Sequence, residues 1–435
     1  MAHEWIGILS IVAIVLLIML RIPIAVAMGL VGTIGYAILD GGKAALNRLG
    51  NTPFELTEGY SLSVVPLFLL MGAIASRSGM SRDLFRAAHG LFAGRRGTVA
   101  MAAVGACAGF GAICGSSLAT AATMSRIAIP EMRRLGYDER LAAGAVASGG
   151  TLGILIPPSV ILIIYAVIAQ ESVARLFAAG LLPGLVLTAL HVVVIWVLLR
   201  LRPELAPPAG AKAAWRQRLR DVAAMWQMVL LFGVSVGGIY AGLFSPTEAA
   251  AVGCLGAMLL GAATRRIGFG DVRDALTETV RTTAVLFFIV VMAFVYAYFL
   301  VLTRLPQSLV DIVVAWELSP LAVMLVLIAF YLVLGCFLDS LGMILLTVPV
   351  FLPLILGLGY DPVWFGVLVV LVVEIGLITP PVGMNLFVIR AQQSDIGLGT
   401  LYRGVVPFLA AGAAMIVLLL MFPGLALWLP QLLFG

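Results

Sequence analysis

Two stretches of this chain put helix-breaking and polar residues where a hydrophobic sequence has no ordinary use for them. Gly149-Gly150-Thr151-Leu152-Gly153-Ile154-Leu155-Ile156-Pro157-Pro158-Ser159 lies inside one apolar run. Glu374-Ile375-Gly376-Leu377-Ile378-Thr379-Pro380-Pro381-Val382-Gly383-Met384-Asn385 lies inside another. Proline removes a backbone donor and clashes with the preceding turn, so a Pro-Pro pair after glycines predicts an unwound helix. Carbonyls freed at membrane depth are costly unless buried in protein or lining a cavity, and as hard oxygen ligands they suit Na+. A second polar cluster precedes each break: Cys114-Gly115-Ser116-Ser117-Leu118-Ala119-Thr120, and Asp339-Ser340-Leu341-Gly342. Gly115, Ser116 and Ser117 offer hydroxyls and carbonyls to a cation. Asp339 adds a formal charge, and a carboxylate at bilayer depth is a functional-site candidate by default; its structural alternative is a salt bridge or a helix cap. Glu374 either faces the site or hydrogen-bonds within the scaffold. Half-helix N-termini at the breaks carry partial positive charge that suits an anionic substrate. Thr120, Gly150, Thr151, Pro381 and Asn385 are the candidates for touching it, with helix capping the other reading of Thr120 and Asn385.

The elements that must hold these segments are membrane helices. Of 435 residues, 62% are hydrophobic and 11% charged, against about 25% charged in soluble domains. Mean hydropathy is +1.14, and apolar runs of the roughly 20 residues that span a bilayer recur along the whole chain. The first, Ile6 to Leu20, follows Glu4 rather than a basic stretch, lacks a small-residue cleavage site and leads straight into another apolar run, so it reads as a retained helix and not a signal peptide. The net charge of +5 comes from arginines in short loops, where they set topology; nucleic acid is not an expected partner, whereas membrane lipid is. Cys107, Cys114, Cys254 and Cys336 show neither metal-ligand nor disulfide spacing, His3, His89 and His191 form no cluster, and no phosphate-binding Gly-Lys-Ser/Thr loop is present. These patterns leave metal-dependent hydrolysis and ATP hydrolysis without a basis.

The chain repeats itself. Leu135-Gly136-Tyr137-Asp138 recurs 223 residues later as Leu358-Gly359-Tyr360-Asp361, and the same offset relates Gly153 to Gly376, Pro23 to Pro246 and Pro130 to Pro353. Spans are expected near 4–20, 22–39, 61–76, 140–169 and 174–199, and again near 223–243, 246–263, 282–302, 362–389 and 404–428. Between the third and fourth spans of each half lie apolar stretches at about 98–130 and 320–354. The first is flanked on both sides by basic loops, with Arg77, Arg82, Arg86, Arg95 and Arg96 before it and Arg126, Arg133, Arg134 and Arg140 after it. By the positive-inside rule it enters and leaves on the cytoplasmic face, as a re-entrant hairpin. Loops 200–220 and 264–281 are basic too, whereas the flanks of 320–354 carry only Arg304. The expected fold is therefore an all-α polytopic membrane protein of about ten transmembrane helices plus two re-entrant hairpins, in two inverted-topology repeats covering residues 1–200 and 222–435, joined by a Pro-rich cytoplasmic linker at 201–221. Inverted repeats are a transporter signature. Both termini are then periplasmic, and segments 40–60 and 303–319 read as amphipathic helices lying on the membrane surface.

The run Phe110-Gly111-Ala112-Ile113-Cys114-Gly115-Ser116-Ser117-Leu118-Ala119-Thr120, with Gly153 to Ser159 and Gly376 to Asn385, resembles the large membrane subunit of tripartite ATP-independent periplasmic (TRAP) transporters. The likeness covers nearly the whole chain. It implies an ion-transporter-superfamily elevator fold in the bacterial inner membrane, and sodium-driven import of small organic acids: C4-dicarboxylates, sialic acid and other sugar acids, or keto acids. It also implies a periplasmic binding protein that delivers substrate and a small membrane subunit of about four helices, expected here as a separate chain. Carried over residue by residue, it implies one Na+ site at Ser116, Ser117, Gly153, Ile156 and Pro158, largely through backbone oxygens. It implies a second at Asp339, Ser340, Gly376, Thr379 and Met384. Na+ is then a coupling ion, with no other cofactor.

Three other readings compete. A stand-alone sodium- or proton-coupled anion carrier of related architecture would need no soluble protein. A channel or membrane scaffold would have no use for two duplicated polar breaks. An intramembrane enzyme would need a nucleophile with a base, and Ser116 has no histidine in its motif while a lone Asp339 is no dyad, so the chain is not expected to be an enzyme.

Overall fold

A computed structural model describes residues 2–209 and 214–435. Among the described residues there are twenty-one α-helices and no strand. Five helices are long and apolar enough to cross a membrane: Val173–Leu201, Pro246–Ala263, Phe269–Thr303, Ser340–Gly357 and Leu398–Met421. Pairing bent helices raises this to eight, and seven further apolar helices are shorter, at 10–17 residues.

Both stretches expected to be hairpins are helix–turn–helix units. The first consists of Thr98–Cys114 and Ser117–Arg134, the second of Pro320–Gly335 and Ser340–Gly357. The second hairpin's outer arm, Ser340–Gly357 (the counterpart of Ser117–Arg134 in the first), is apolar enough to span, but 67% of its apolar window is buried in protein, against 28–44% for the other four long helices. Protein thus encloses more of this arm than of the other four. Each broken span is also two helices: Glu139–Leu155 with Val160–Ala169, bent by 40°, and Pro362–Gly376 with Met384–Gln392.

The helices sort into two packed groups. One holds both hairpins, both broken spans, Val173–Leu201 and Leu398–Met421. The halves interlock in it: the outer arm of the first hairpin packs on Met384–Gln392, and that of the second packs on Val160–Ala169. The other group joins Ile24–Asp40, Val64–Arg77, Trp226–Tyr240, Pro246–Ala263 and Phe269–Thr303, with Ala2–Met19 along its edge. Small residues allow this close contact: a Cβ on Gly32 would lie 2.8 Å from Tyr296 Cα.

Several expected loops are helical. From residue 269 on, the loop expected at 264–281 belongs to the 35-residue helix Phe269–Thr303, about 52 Å long and longer than the roughly 30 Å hydrocarbon layer. Its first turns carry Asp271, Arg273, Asp274 and Glu278, so the apolar window that marks a span starts late while the helix does not; Asp271 accepts from the Gly268 N–H at 2.8 Å. Residues 80–92 form a helix bent 70° from Val64–Arg77, with Gly79 at φ +76 making the corner. The linker contains the helix Trp215–Ala223, which packs on it; Arg218 donates to the Ala93 carbonyl. The last expected span, 404–428, is interrupted at Pro423 and continues as Gly424–Phe434. The surface segments 40–60 and 303–319 contain the helices Gly42–Thr57 and Leu305–Ala315.

Candidate transport site

In the first break, Pro157 and Pro158 occupy the positions whose N–H groups would bond the Gly153 and Ile154 carbonyls in a continuous helix. The helix stops at Leu155, and Ser159 restarts it by accepting from the Leu162 N–H at 3.2 Å. Gly153, Ile156 and Pro158 are all buried. In the second break, Pro380 and Pro381 act likewise on Gly376 and Leu377. There the chain heals part of the damage: Thr379 N–H bonds the Gly376 carbonyl at 3.0 Å and Asn385 N–H the Leu377 carbonyl at 3.1 Å. Thr379 Oγ1 donates to the Ile375 carbonyl at 2.7 Å. The second break is the more open of the two, with Pro381 exposed and Thr379 and Met384 half-buried.

Each hairpin tip lies on its own break through a glycine–glycine contact. A Cβ on Gly111 would sit 2.1 Å from Gly153 Cα, and a Cβ on Gly376 would sit 2.7 Å from Gly335 Cα. At the first tip Gly115 has φ +65 and lies against the Pro158 carbonyl, which a Cβ would approach to 3.0 Å. Ser116, Ser117, Gly153 and Pro158 therefore meet: Thr120 Oγ1, which donates to the Ser116 carbonyl at 2.8 Å, is what a Cβ on Gly153 would strike. Gly150 faces the Ser117 carbonyl and Ala121.

The two tips use one local device with different residues. Ser116 caps the first outer arm, its Oγ accepting from the Ala119 N–H at 3.3 Å. Asp339, its partner at the 223 offset, caps the second, Oδ2 accepting from the Gly342 N–H at 3.1 Å. Asp339 thus has a structural use that its charge alone did not announce. Asp339→Ala is expected to lower stability by about 0.5–2 kcal/mol through loss of the cap, while Asp339→Asn, which keeps an acceptor, holds near wild type; thermal unfolding in detergent reads both.

The carboxylate that is fully enclosed is Glu374, 2% exposed. It interacts with Ser117 from the first tip and Ser340 from the second. Neither contact closes to hydrogen-bond geometry, so both Glu374 oxygens and the Ser117 hydroxyl lack a hydrogen-bond partner. The sequence left this residue between two readings; its neighbours, which come from both halves, place it at the hairpin tips. Asn385 is wholly buried with both amide atoms unpartnered, and Thr151 is satisfied by the Ser148 carbonyl at 2.6 Å.

A cavity of about 450 Å³ opens between the first hairpin and the other helix group. Ser116, Ala119, Thr123 and Arg126 line it, together with Arg77, Glu278 and Thr279 from across the group boundary. The first four fall at intervals of three and four residues, so they share one face of the outer arm. Arg77 is paired with Glu278 at 3.0 Å, whereas Arg126 is exposed and also lines a second cavity of about 440 Å³ with Arg82, Arg86 and His89. Of the residues expected at substrate, Thr120, Gly150, Thr151, Pro381 and Asn385 are absent from the lining of the larger cavity. Arg126, which the sequence reading used only as a topology marker, lines it. Among the described residues, no group of histidine, cysteine and carboxylate side chains is arranged to hold a metal.

Residues 11–425 match the family described as the tripartite ATP-independent periplasmic transporter, DctM component. The chain is 38% identical to a C4-dicarboxylate TRAP transporter large permease protein of Pseudomonas aeruginosa, over 87% of this chain and 88% of that one. It is 34% identical to a sialic acid TRAP transporter large permease protein of Vibrio cholerae, with the same two coverages. It is 31% identical to an ectoine/5-hydroxyectoine TRAP transporter large permease protein of Ruegeria pomeroyi, over 97% and 98%. Its fold is similar to that of the Alcanivorax borkumensis YdaH transporter, with a TM-score of 0.61, 20% identity, and 88% and 89% of the two chains covered.

Proposed function

The chain belongs to the family of the tripartite ATP-independent periplasmic transporter, DctM component, and from that premise we propose that it is the large permease of a sodium-coupled importer for a small organic acid. The observation that carries this reading is the duplicated seat of each hairpin tip on a Gly-Pro-Pro break, one of them open to a cavity of about 450 Å³. Backbone carbonyls freed by proline, serine hydroxyls at the tips and half-helix N-termini supply oxygen ligands for Na+ and positive potential for an anion. The first cation site uses Ser116, Ser117, Gly153, Ile156 and Pro158. The second uses Asp339, Ser340, Gly376, Thr379 and Met384. The substrate occupies the cavity beside Ser116 and Thr123, with its acid group toward Arg126.

Relatives are named for C4-dicarboxylate, sialic acid and ectoine. This range supports a small polar solute with at least one acid group, and organic acids in particular for a cavity that holds an unpaired arginine. The two helix groups suit an elevator movement in which the hairpin group slides against the other, carrying site and substrate together. A periplasmic binding protein delivers the substrate, a separate small membrane subunit packs on the static group, and the halves sit with inverted topology in the inner membrane, both termini periplasmic.

Proteoliposomes containing this chain and its small subunit test the tripartite part of the reading. Uptake is expected only when the substrate-loaded binding protein is added outside. Equal uptake of free substrate without it would replace the tripartite reading with that of a stand-alone carrier.

A further inference from the structure

Glu374 is a buried acidic side chain near the hairpin tips, whereas Glu278, which lines the cavity beside Ser116, is paired with Arg77. Asp339 is engaged as a helix cap. The residue equivalent to Glu374 in the first half, at the 223 offset, is Thr151. Thr151 sits the same two residues before the glycine on which the hairpin rests, and its hydroxyl is closed off by a carbonyl of its own helix. The Gly-Pro-Pro break therefore folds without a carboxylate at this position. What the carboxylate adds is charge, placed between Ser117 of one tip and Ser340 of the other.

Burying a carboxylate with neither hydrogen bonds nor a counter-charge costs several kcal/mol. Here both its oxygens are buried without a hydrogen-bond partner, and so is the neighbouring Ser117 hydroxyl. Each serine belongs to a different proposed sodium site, so this inference rests on the sodium-coupled reading. We propose that Glu374 is the negative charge shared by both cation sites, binding through one carboxylate the alkali cations held at the two hairpin tips. The first hairpin, the second hairpin and the second broken span are then cross-linked by the cations rather than by direct side-chain bonds.

The test is a sodium titration of thermal stability on the purified full-length chain, at constant ionic strength set with choline chloride. Wild type is expected to gain stability with sodium. Glu374→Gln keeps the shape and removes the charge. It is expected to be at least as stable as wild type without sodium, because a buried uncompensated charge is gone, and to need at least about ten-fold more sodium for half of the stabilisation. Ser340→Ala, which leaves the charge in place, is expected to shift the midpoint less. A sodium midpoint in Glu374→Gln equal to that of wild type would overturn the shared-charge assignment and leave the sodium reading standing. Lower stability of Glu374→Gln in the absence of sodium would also overturn it, since the carboxyl would then be a structural group. Wild type that does not respond to sodium at all would overturn both.

Discussion

Gly111→Ala is expected to abolish transport. Its Cβ would lie 2.1 Å from Gly153 Cα and 2.9 Å from Gly153 N, atoms of backbone that cannot rotate away. The first hairpin must then lift off the break, separating Ser116 and Ser117 from the freed carbonyls. Displacing reacting or ligating groups by about 1 Å costs on the order of a hundred-fold in rate, and the two elements proposed to coordinate a cation are moved apart here. Gly376→Ala is expected to do the same in the second half, where its Cβ would lie 2.7 Å from Gly335 Cα. Gly237→Ala is the control: nothing lies within 4 Å of its Cβ, and alanine is about 1 kcal/mol better than glycine inside a helix. Initial uptake rates should fall at least about a hundred-fold for the first two at matched reconstitution and stay at wild-type level for the third. Near-normal uptake by Gly111→Ala would mean that the tip does not bear on the break during transport.

Arg126→Gln is the second large effect. The Arg126 guanidinium lies at the end of the polar face that begins at Ser116 and borders both the candidate substrate cavity and the neighbouring basic one. Arg77, the other arginine of that cavity, is already paired with Glu278. A hydrogen bond to a charged group contributes about 1.5–3 kcal/mol, so removing Arg126 should slow uptake of an organic acid roughly 10–100-fold at saturating loaded binding protein. Arg126→Lys keeps the charge but loses the fork that matches a carboxylate, and should fall between the two. Rates are read at several substrate concentrations, and an unchanged rate would move the acid group away from this end of the cavity.

The sequence disclosed the parts of the site that depend on local chemistry and concealed those that depend on contact between the halves. Proline pairs after glycines mark the breaks at Gly153 and Gly376 because missing N–H groups are a property of the residues themselves. The arginines flanking residues 98–130 marked that stretch as one that turns back, and it folds as helix, turn and helix. Asp339 was ambiguous because a carboxylate before a helix is at once a cap and a charge, and only the Gly342 N–H contact decides what it does locally. Glu374 could not be placed, since Ser117, one of its two serine neighbours, is more than 250 residues away in sequence. Arg126 was within reach: Ser116, Ala119, Thr123 and Arg126 have the spacing of one helix face. Counting arginines for topology hid it. The start of the long helix at Phe269 was missed for a related reason, because charged residues in its first turns break the apolar window without breaking the helix.

The central claim is that a sodium gradient drives solute across the membrane through this chain. It is tested most directly by initial-rate uptake into proteoliposomes holding this chain, its small membrane subunit and an excess of substrate-loaded binding protein. An inward sodium gradient is compared with an equal choline gradient, with the voltage clamped by valinomycin and equal potassium on the two sides of the membrane in both arms. Accumulation above equilibrium with sodium, and none without it, is the predicted result. Equal accumulation in both arms would contradict the cation sites at the hairpin tips and with them the account of how this fold does work.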